Sequence, residues 1–281
     1  MMRLQLDTSV QIHKLLNRSD DPVNSSLIDL TKNSESVESS TYSKKEFSFS
    51  LIKDCCSMLA RLNRTKSLRD ALRFIDQYGS YKKRFQGRML AVFWRFSIRQ
   101  TIKDMWPYYD DNKRDNILAE EFARFLRLYI PALWEDFERG LTLPLQDRTK
   151  CPFAQRPPVD NGKTFELATR RKCNASFQCA LTNMIKGERK RALKLLEKLR
   201  ELEDHEKTRE LKKIELFLES FFEKDNKQIC YEMCNQGIGD LIISLETLLD
   251  RTLITTNARE SNVISPAISQ QYIILPMKKI N

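Results

Sequence analysis

Histidine is nearly missing from this sequence: His13 and His205 are the two in 281 residues. Chemistry built on a histidine general acid or base therefore has little support, because a lone histidine on a helix is more often structural or solvent-facing. Glycine is scarce as well, seven in all, and none stands in the Walker-type spacing of a phosphate-binding loop. Long apolar runs are lacking; Leu241 to Leu245 and Tyr272 to Leu275 fall far short of the roughly 20 residues of a membrane helix. No transmembrane segment is expected. The amino terminus shows no basic leader followed by an apolar run and a small-residue cleavage site, so a cytoplasmic setting is the expectation.

Seven cysteines, an odd number, point to reduced thiols and not to a disulfide framework. Cys151, Cys173, Cys179, Cys230 and Cys234 could supply zinc thiolates, but their spacing includes no Cys-x-x-Cys knuckle. Buried reduced side chains are the expected state, with structural zinc as the alternative, and Cys55-Cys56 reads as ordinary packing.

A hydrophobic content of 41% is enough for a packed core in one large domain or two small ones. The formal charge of +10 suggests an anionic partner. From Arg61 to Lys103 twelve Lys and Arg face two acids, Asp70 and Asp76, so this segment alone carries an excess equal to that of the whole chain. Lys82, Lys83, Arg84, Arg88, Arg95 and Arg99 alternate there with Tyr78, Tyr81, Phe85, Phe93, Trp94 and Phe96. The mixture suits phosphate contacts and base stacking. The competing reading is a helix whose aromatics are core and whose charges are solvated, and for the aromatics it is the preferred one.

Periodicity predicts a strand over 3–6, a turn at Asp7-Thr8-Ser9 and a helix carrying Val10, Ile12, Leu15 and Leu16. Residues 17–45 are polar and read as a loop or helix fragment. Phe47-Ser48-Phe49-Ser50-Leu51-Ile52 alternates like a second strand leading into a helix through Asp54 and Met58. Residues 64–140 are helical in pattern, interrupted at Gly79, Gly87, Pro107 and Pro131, and the proline-rich 141–163 should be irregular. Lys186 to Glu223 keeps a leucine stripe at helical spacing, as one or two helices. Near the end, Gly239-Asp240 opens a helix over Leu241 to Leu249, and Thr252 to Thr256 and Tyr272 to Leu275 read as strands. Strand and helix alternation at both ends implies a parallel α/β sheet interrupted by a helical insertion.

In such a sheet ligands bind beyond the carboxyl ends of the strands, where Asp7 and Asp240 would lie. Either acid alone could be only a helix cap. Together, Asp7-Thr8-Ser9, Gly239-Asp240-Leu-Ile-Ile-Ser-Leu-Glu246 and Thr255-Thr256-Asn257 resemble the PIN-domain family of nucleases. The resemblance covers residues 3–16, more loosely 46–62, and 237–275. It implies a three-layer α/β/α PIN-like parallel sheet with a large helical insertion: residues 1–62 as its first part, 63–223 as the insertion, basic at 61–103, and 224–281 as its carboxyl-terminal part.

The resemblance further implies three or four carboxylates holding Mg2+ or Mn2+. Asp7 and Asp240 match two of these places; Asp54 is the candidate for the middle acid, usually a Glu in the family. The fourth place falls on Asn257, an amide that can ligate a hard cation but brings no charge; Glu260 could compensate. The implied activity is metal-dependent phosphodiester hydrolysis, as an endoribonuclease before a DNase, with RNA or DNA as partner and no membrane. The alternative is a catalytically inactive PIN-like scaffold that binds RNA or a protein partner.

Overall fold

The computed structural model describes residues 2–16, 22–81, 83–98, 111–151, 154–167, 180–225, 229, 233–234 and 237–275, the side chains of 78–81 and 180 left aside. It is a mixed α/β structure, mostly helical, around a four-stranded parallel sheet. Strands β1 (Met2–Leu6), β2 (Ser34–Glu38), β5 (Thr252–Thr255) and β6 (Gln271–Ile274) lie in the order β2-β1-β5-β6. Leu4 of β1 pairs with Val37 on one side and Thr252 on the other. A second, two-stranded antiparallel sheet joins β3 (Val159–Asp160) to β4 (Phe165–Glu166). No described helix is long and apolar enough to cross a membrane.

The central strand β5 and the carboxyl halves of β1 and β2 are buried, as in such sheets, while β6 at the edge is only half-buried. Leu4, Leu6 and Ile254 pack with Val10 of α1 (Thr8–Leu16) and with Val23 and Leu27 of α2 (Pro22–Lys32). Leu253 packs with Leu241, Ile242 and Leu245 of α11 (Gly239–Glu246) and Ile264 of α12 (Ala258–Ala267). The same cluster takes in the leucine stripe, which forms two helices, α9 (Arg189–Glu201) and α10 (Arg209–Phe222), after the short α8 (Ala180–Gly187). The free edge of β2 is covered by the loop after residue 140: Thr142 N–H donates to Val37 O, and Gln146 N–H to Ser39 O. That covering blunts an edge that would otherwise template further strands.

A separate core holds the middle of the chain together. It joins α3 (Thr41–Phe47), a π-helical turn Ser48–Ile52, α4 (Lys53–Thr65), α5 (Leu68–Tyr81), α6 (Lys83–Ser97) and α7 (Asp111–Asp136). Phe93, Phe96, Phe122 and Phe125 form its aromatic centre, with Phe96 and Phe122 ring centroids 4.7 Å apart. At about 1.5–3 kcal/mol per fully buried large side chain, this is a substantial share of the stability.

Three sequence readings are corrected. The alternation Phe47-Ser-Phe-Ser-Leu-Ile is helical, not a strand: Phe47, Leu51, Ile52 and Cys55 are all fully buried on one helix face, and Ser50 Oγ donates back to Phe47 O. The second strand is instead Ser34-Glu-Ser-Val-Glu38, inside the stretch read as a loop or helix fragment, which also holds the helix α2. Its polar composition hid it because Glu38, with no exposure, is neutralised by Arg251 and accepts a bond from Gln146 Nε2. Pro131, expected to interrupt helix, lies inside α7.

Candidate functional site

The sheet reverses its winding about β1: the chain steps from β1 to β2 on one side and from β5 to β6 on the other. A crevice at the carboxyl edge of such a switch point is where open α/β sheets take ligands. Asp7 follows β1 directly and is 5% exposed. Its Oδ1 accepts from Ser9 N–H at 2.5 Å, Ser9 Oγ at 2.6 Å and Val10 N–H at 3.1 Å, which caps α1. Thr255 Oγ1, from the end of β5, donates to the other oxygen. Burial nevertheless holds its carboxyl above the ordinary aspartate value, against the pull of these hydrogen bonds.

Ser9 also ties α1 to the end of β5, since Thr256 N–H and Oγ1 donate to its hydroxyl at 3.1 and 2.8 Å. Asn257 follows; its N–H donates to Thr255 Oγ1 at 2.9 Å, and its Nδ2 to Asp240 Oδ2 at 2.9 Å. Asp240 stands in the first turn of α11. Burial first, then the charges of Asp7 and Glu260, push its carboxyl up to about 7, while Asn257 and Arg84 oppose the rise.

Glu46 is the third acid of the group, and sequence reasoning missed it. It lies on α3, whose amino end is capped by Ser40, with Ser43 N–H donating to Ser40 Oγ at 3.0 Å. Thr8 Oγ1 donates to Glu46 Oε2 at 3.0 Å. Burial, then the charge of Asp240 and that of Asp7, push the Glu46 carboxyl up to about 8, with the Thr8 bond pulling the other way. Gly239 makes room for it: a Cβ there would sit 1.7 Å from Glu46 Oε1. The Gly-Asp pair thus has two purposes, one residue vacating space for the Glu46 carboxylate and the next bringing its own beside it. The signal for Glu46 was the strand Ser34–Glu38 followed by a Ser cap and, six residues after the cap, an acid.

Asp54 is not brought to this group. It lies on α4, eight positions beyond Glu46, and accepts from Arg88 Nη2 at 2.5 Å and Arg88 Nε at 2.7 Å, pinning α4 to α6. Its expected place rested on ending a strand at Ile52; with the segment helical, it projects into the α4–α6 seam instead. Glu260, 5% exposed in the first turn of α12, stands close enough to Asp240 to act on its charge.

Of the basic candidates, Arg84 on α6 is exposed and acts on Asp240, so one end of the basic helix borders the acids. Lys83 beside it is exposed. Arg88 is engaged with Asp54, and Arg95 Nε donates to Leu16 O at 3.3 Å. Lys82 and Arg99 lie outside the described residues. Phe85 and Phe96 are core, as the preferred reading held, whereas Trp94 is exposed. Cys55 and Cys56 are buried; Cys151 and Cys234 are partly exposed; Cys173, Cys179 and Cys230 lie outside the described residues.

The chemistry open to the site follows from its donors. Hard oxygen atoms from three chain segments lie close enough to act on one another's charge, and each acid is disfavoured in its charged form by burial. Among the described residues no group of three or more His, Cys, Asp or Glu side chains is arranged to hold a metal ion, so the acids are gathered but not closed about a common point. No protein-family model matches the chain, and neither a curated protein nor a solved structure matches it.

Proposed function

We propose that this chain is a metal-dependent nuclease, an endoribonuclease before a DNase, on a PIN-like three-layer α/β/α frame with a large helical insertion. The observation that carries the reading is the meeting of Asp7, Glu46 and Asp240 at the carboxyl edge of a parallel sheet, from three segments far apart in the chain. Glu46 takes the role first expected of Asp54, and a Glu is the usual middle acid of the family the sequence resembles. Helices lie against both faces of the sheet, in keeping with three layers.

The donors are of the type Mg2+ or Mn2+ takes, and a bound ion would have to draw them to a common point. All three acids offer carboxylate oxygens, the ligands hard cations take, and their mutual repulsion is what a divalent ion would offset. Gly239 leaves open the space in which Glu46 reaches Asp240. A cation bound there supplies charge for the phosphate oxygens and lowers the pKa of a bound water. The surrounding residues hold the acids ready: Thr255 and Ser9 fix Asp7, Thr8 fixes Glu46 and Asn257 orients Asp240. Arg84 at the rim, with Lys83, meets the phosphate backbone of the substrate.

The test is cleavage of end-labelled RNA by the purified chain in Mn2+ and in EDTA, with Asp7→Asn and Asp240→Asn beside it. Cleavage in Mn2+ that each variant lowers at least about 100-fold is expected, the scale on which removal of an essential charged group acts. Equal cleavage by all three proteins would remove the assignment.

A second reading, a catalytically silent scaffold that binds RNA or a protein partner, is favoured by one observation. Asn257 stands where the family has an acid and gives its amide to Asp240, occupying a carboxylate oxygen. Tight RNA binding without cleavage in Mn2+, and no metal-induced rise in melting temperature, would select it.

A further inference from the structure

The helix α6 turns an apolar line of side chains to solvent. Leu90, Trp94 and, just past its end, Ile98 are 49%, 56% and 55% exposed, at the four-residue spacing that lines up one side of a helix. Lys83 and Gly87 continue the line toward the amino end; both are exposed, and a Cβ built on Gly87 would meet nothing within 4 Å. Arg84, beside Lys83, is exposed and acts on Asp240. One end of this face therefore borders the acids, and the other carries an open indole. At a rise of ~1.5 Å per residue, Trp94 lies ~15 Å along the helix from Arg84.

The other rings of α6 have a different position: Phe85, Phe93 and Phe96 pack into the helical core, and Trp94 does not. An exposed Leu-Trp-Ile line could pack against a second copy of the chain, but the surrounding charge opposes that. Lys83 and Arg84 stand at the end of the face, and α5, packed beside α6 with Phe74 and Phe85 ring centroids 5.8 Å apart, exposes Arg69. The segment from Arg61 to Lys103 sets two acids against twelve basic residues, and bringing two such surfaces together juxtaposes like charges at a cost. An anionic polymer with flat apolar faces suits both features at once. Single-stranded nucleic acid is one, since its phosphates take the cations and its unpaired bases stack on aromatic rings.

We propose that the outer face of α6 is the path of one RNA strand past the acidic site, with phosphates at Lys83 and Arg84 and an unpaired base stacked on Trp94. The assignment rests on the nuclease reading in taking RNA as the bound polymer. A stacked strand advances ~3.4 Å per nucleotide, so the base on Trp94 stands about four nucleotides from the phosphate at Arg84. Gly87 keeps the surface between them low, and Leu90 and Ile98 give the stacked base an apolar surround. Trp94 is thus a binding residue remote from the acids, on the part of the chain that lies outside the sheet.

The test is binding of a single-stranded RNA of about 12 nucleotides to the full chain in EDTA, read by anisotropy of an end label and, with unlabelled strand, by tryptophan fluorescence. Trp94→Ala should weaken binding at least about 5-fold, the lower end for one base–aromatic stack, and leave the slope of log affinity against log salt unchanged. Trp94→Phe keeps a ring and should bind within about 3-fold of the wild type, yet lose most of the quenching that RNA causes there. Trp134, 8% exposed, is too buried to report a stacked base in its place. Blunt duplex RNA, whose bases already stack on one another, should bind the wild type and Trp94→Ala alike. Equal binding of the single strand by wild type and Trp94→Ala, quenching retained in Trp94→Phe, or no binding by the wild type would overturn the assignment. So would a wild-type dimer in sedimentation that Trp94→Ala dissociates, which would give the face to a second copy. Because binding is read in EDTA, a lack of cleavage in Mn2+ would sink the nuclease reading alone, and an unaffected Trp94→Ala with active cleavage would sink this one alone.

Discussion

Replacing Glu46 by glutamine should make the metal-free protein more stable, and increasingly so as pH rises. In the folded chain Glu46 holds its proton up to about 8, whereas in the unfolded chain it ionises near the ordinary 4.5. Between those values the unfolded state binds fewer protons than the folded one, so the stability Glu46 contributes is complete below about 4.5 and is lost as pH rises through about 8. At ~1.4 kcal/mol per pH unit the gap is worth at most ~5 kcal/mol. Part of it belongs to Asp240, which titrates to about 7 in the same crevice, so ~2–4 kcal/mol is expected for Glu46→Gln at pH 8.5. At pH 5 both proteins carry a neutral side chain that can accept the Thr8 hydroxyl, and they should differ little. Glu246, pushed by burial up to about 7, tilts both curves equally and cancels in the comparison. Urea unfolding followed by circular dichroism in EDTA, at half-unit steps from pH 5 to 8.5, reads the difference as a midpoint shift of about 1 M at the alkaline end. A difference between the two proteins that stays constant across the range would refute the placement of Glu46 in a shared acidic crevice.

Gly239→Ala puts a methyl group 1.7 Å from Glu46 Oε1. It should displace that carboxylate, lower Mn2+-dependent cleavage at least about 10-fold and cost about 1–3 kcal/mol by overpacking, measured by RNA cleavage and urea unfolding. Asp54→Asn breaks the pair with Arg88 between α4 and α6, both partly buried, and should destabilise by about 1–3 kcal/mol while leaving cleavage per folded molecule unchanged. Arg84→Ala should weaken RNA binding and lower the slope of log affinity against log salt by about 1, read by fluorescence anisotropy from 50 to 200 mM salt.

The parts of the fold legible in the sequence were those whose pattern reports burial directly. Strands β1, β5 and β6 alternate or run apolar, Gly239-Asp240 punctuates the start of α11, and the stripes of α9 and α10 hold helical spacing because Leu195, Leu199, Ile214 and Leu218 face one core. The edge strand β2 was not legible, because its buried Glu38 and its open edge are met by partners brought from residues 142–146 and 251, which no local window contains. Misplacing β2 carried the error into the site. Once Phe47–Ile52 was taken for a strand, Asp54 became the next acid in line, and Glu46, already on a helix, was passed over. Asp7 and Asp240 were legible because Asp7 caps α1 and Asp240 stands in the first turn of α11, places that local sequence marks.

Whether Asp7, Glu46 and Asp240 form one cation site is tested most directly by isothermal titration of Mn2+ into the wild type, Glu46→Gln and Asp54→Asn at pH 7, in buffers of differing ionisation enthalpy. Ionising carboxyls held near about 7 and about 8 should release protons as the ion binds to the wild type. The expected result is proton-releasing binding in the wild type and in Asp54→Asn, with affinity at least about 10-fold weaker in Glu46→Gln. Binding unchanged in Glu46→Gln and lost in Asp54→Asn would contradict the site.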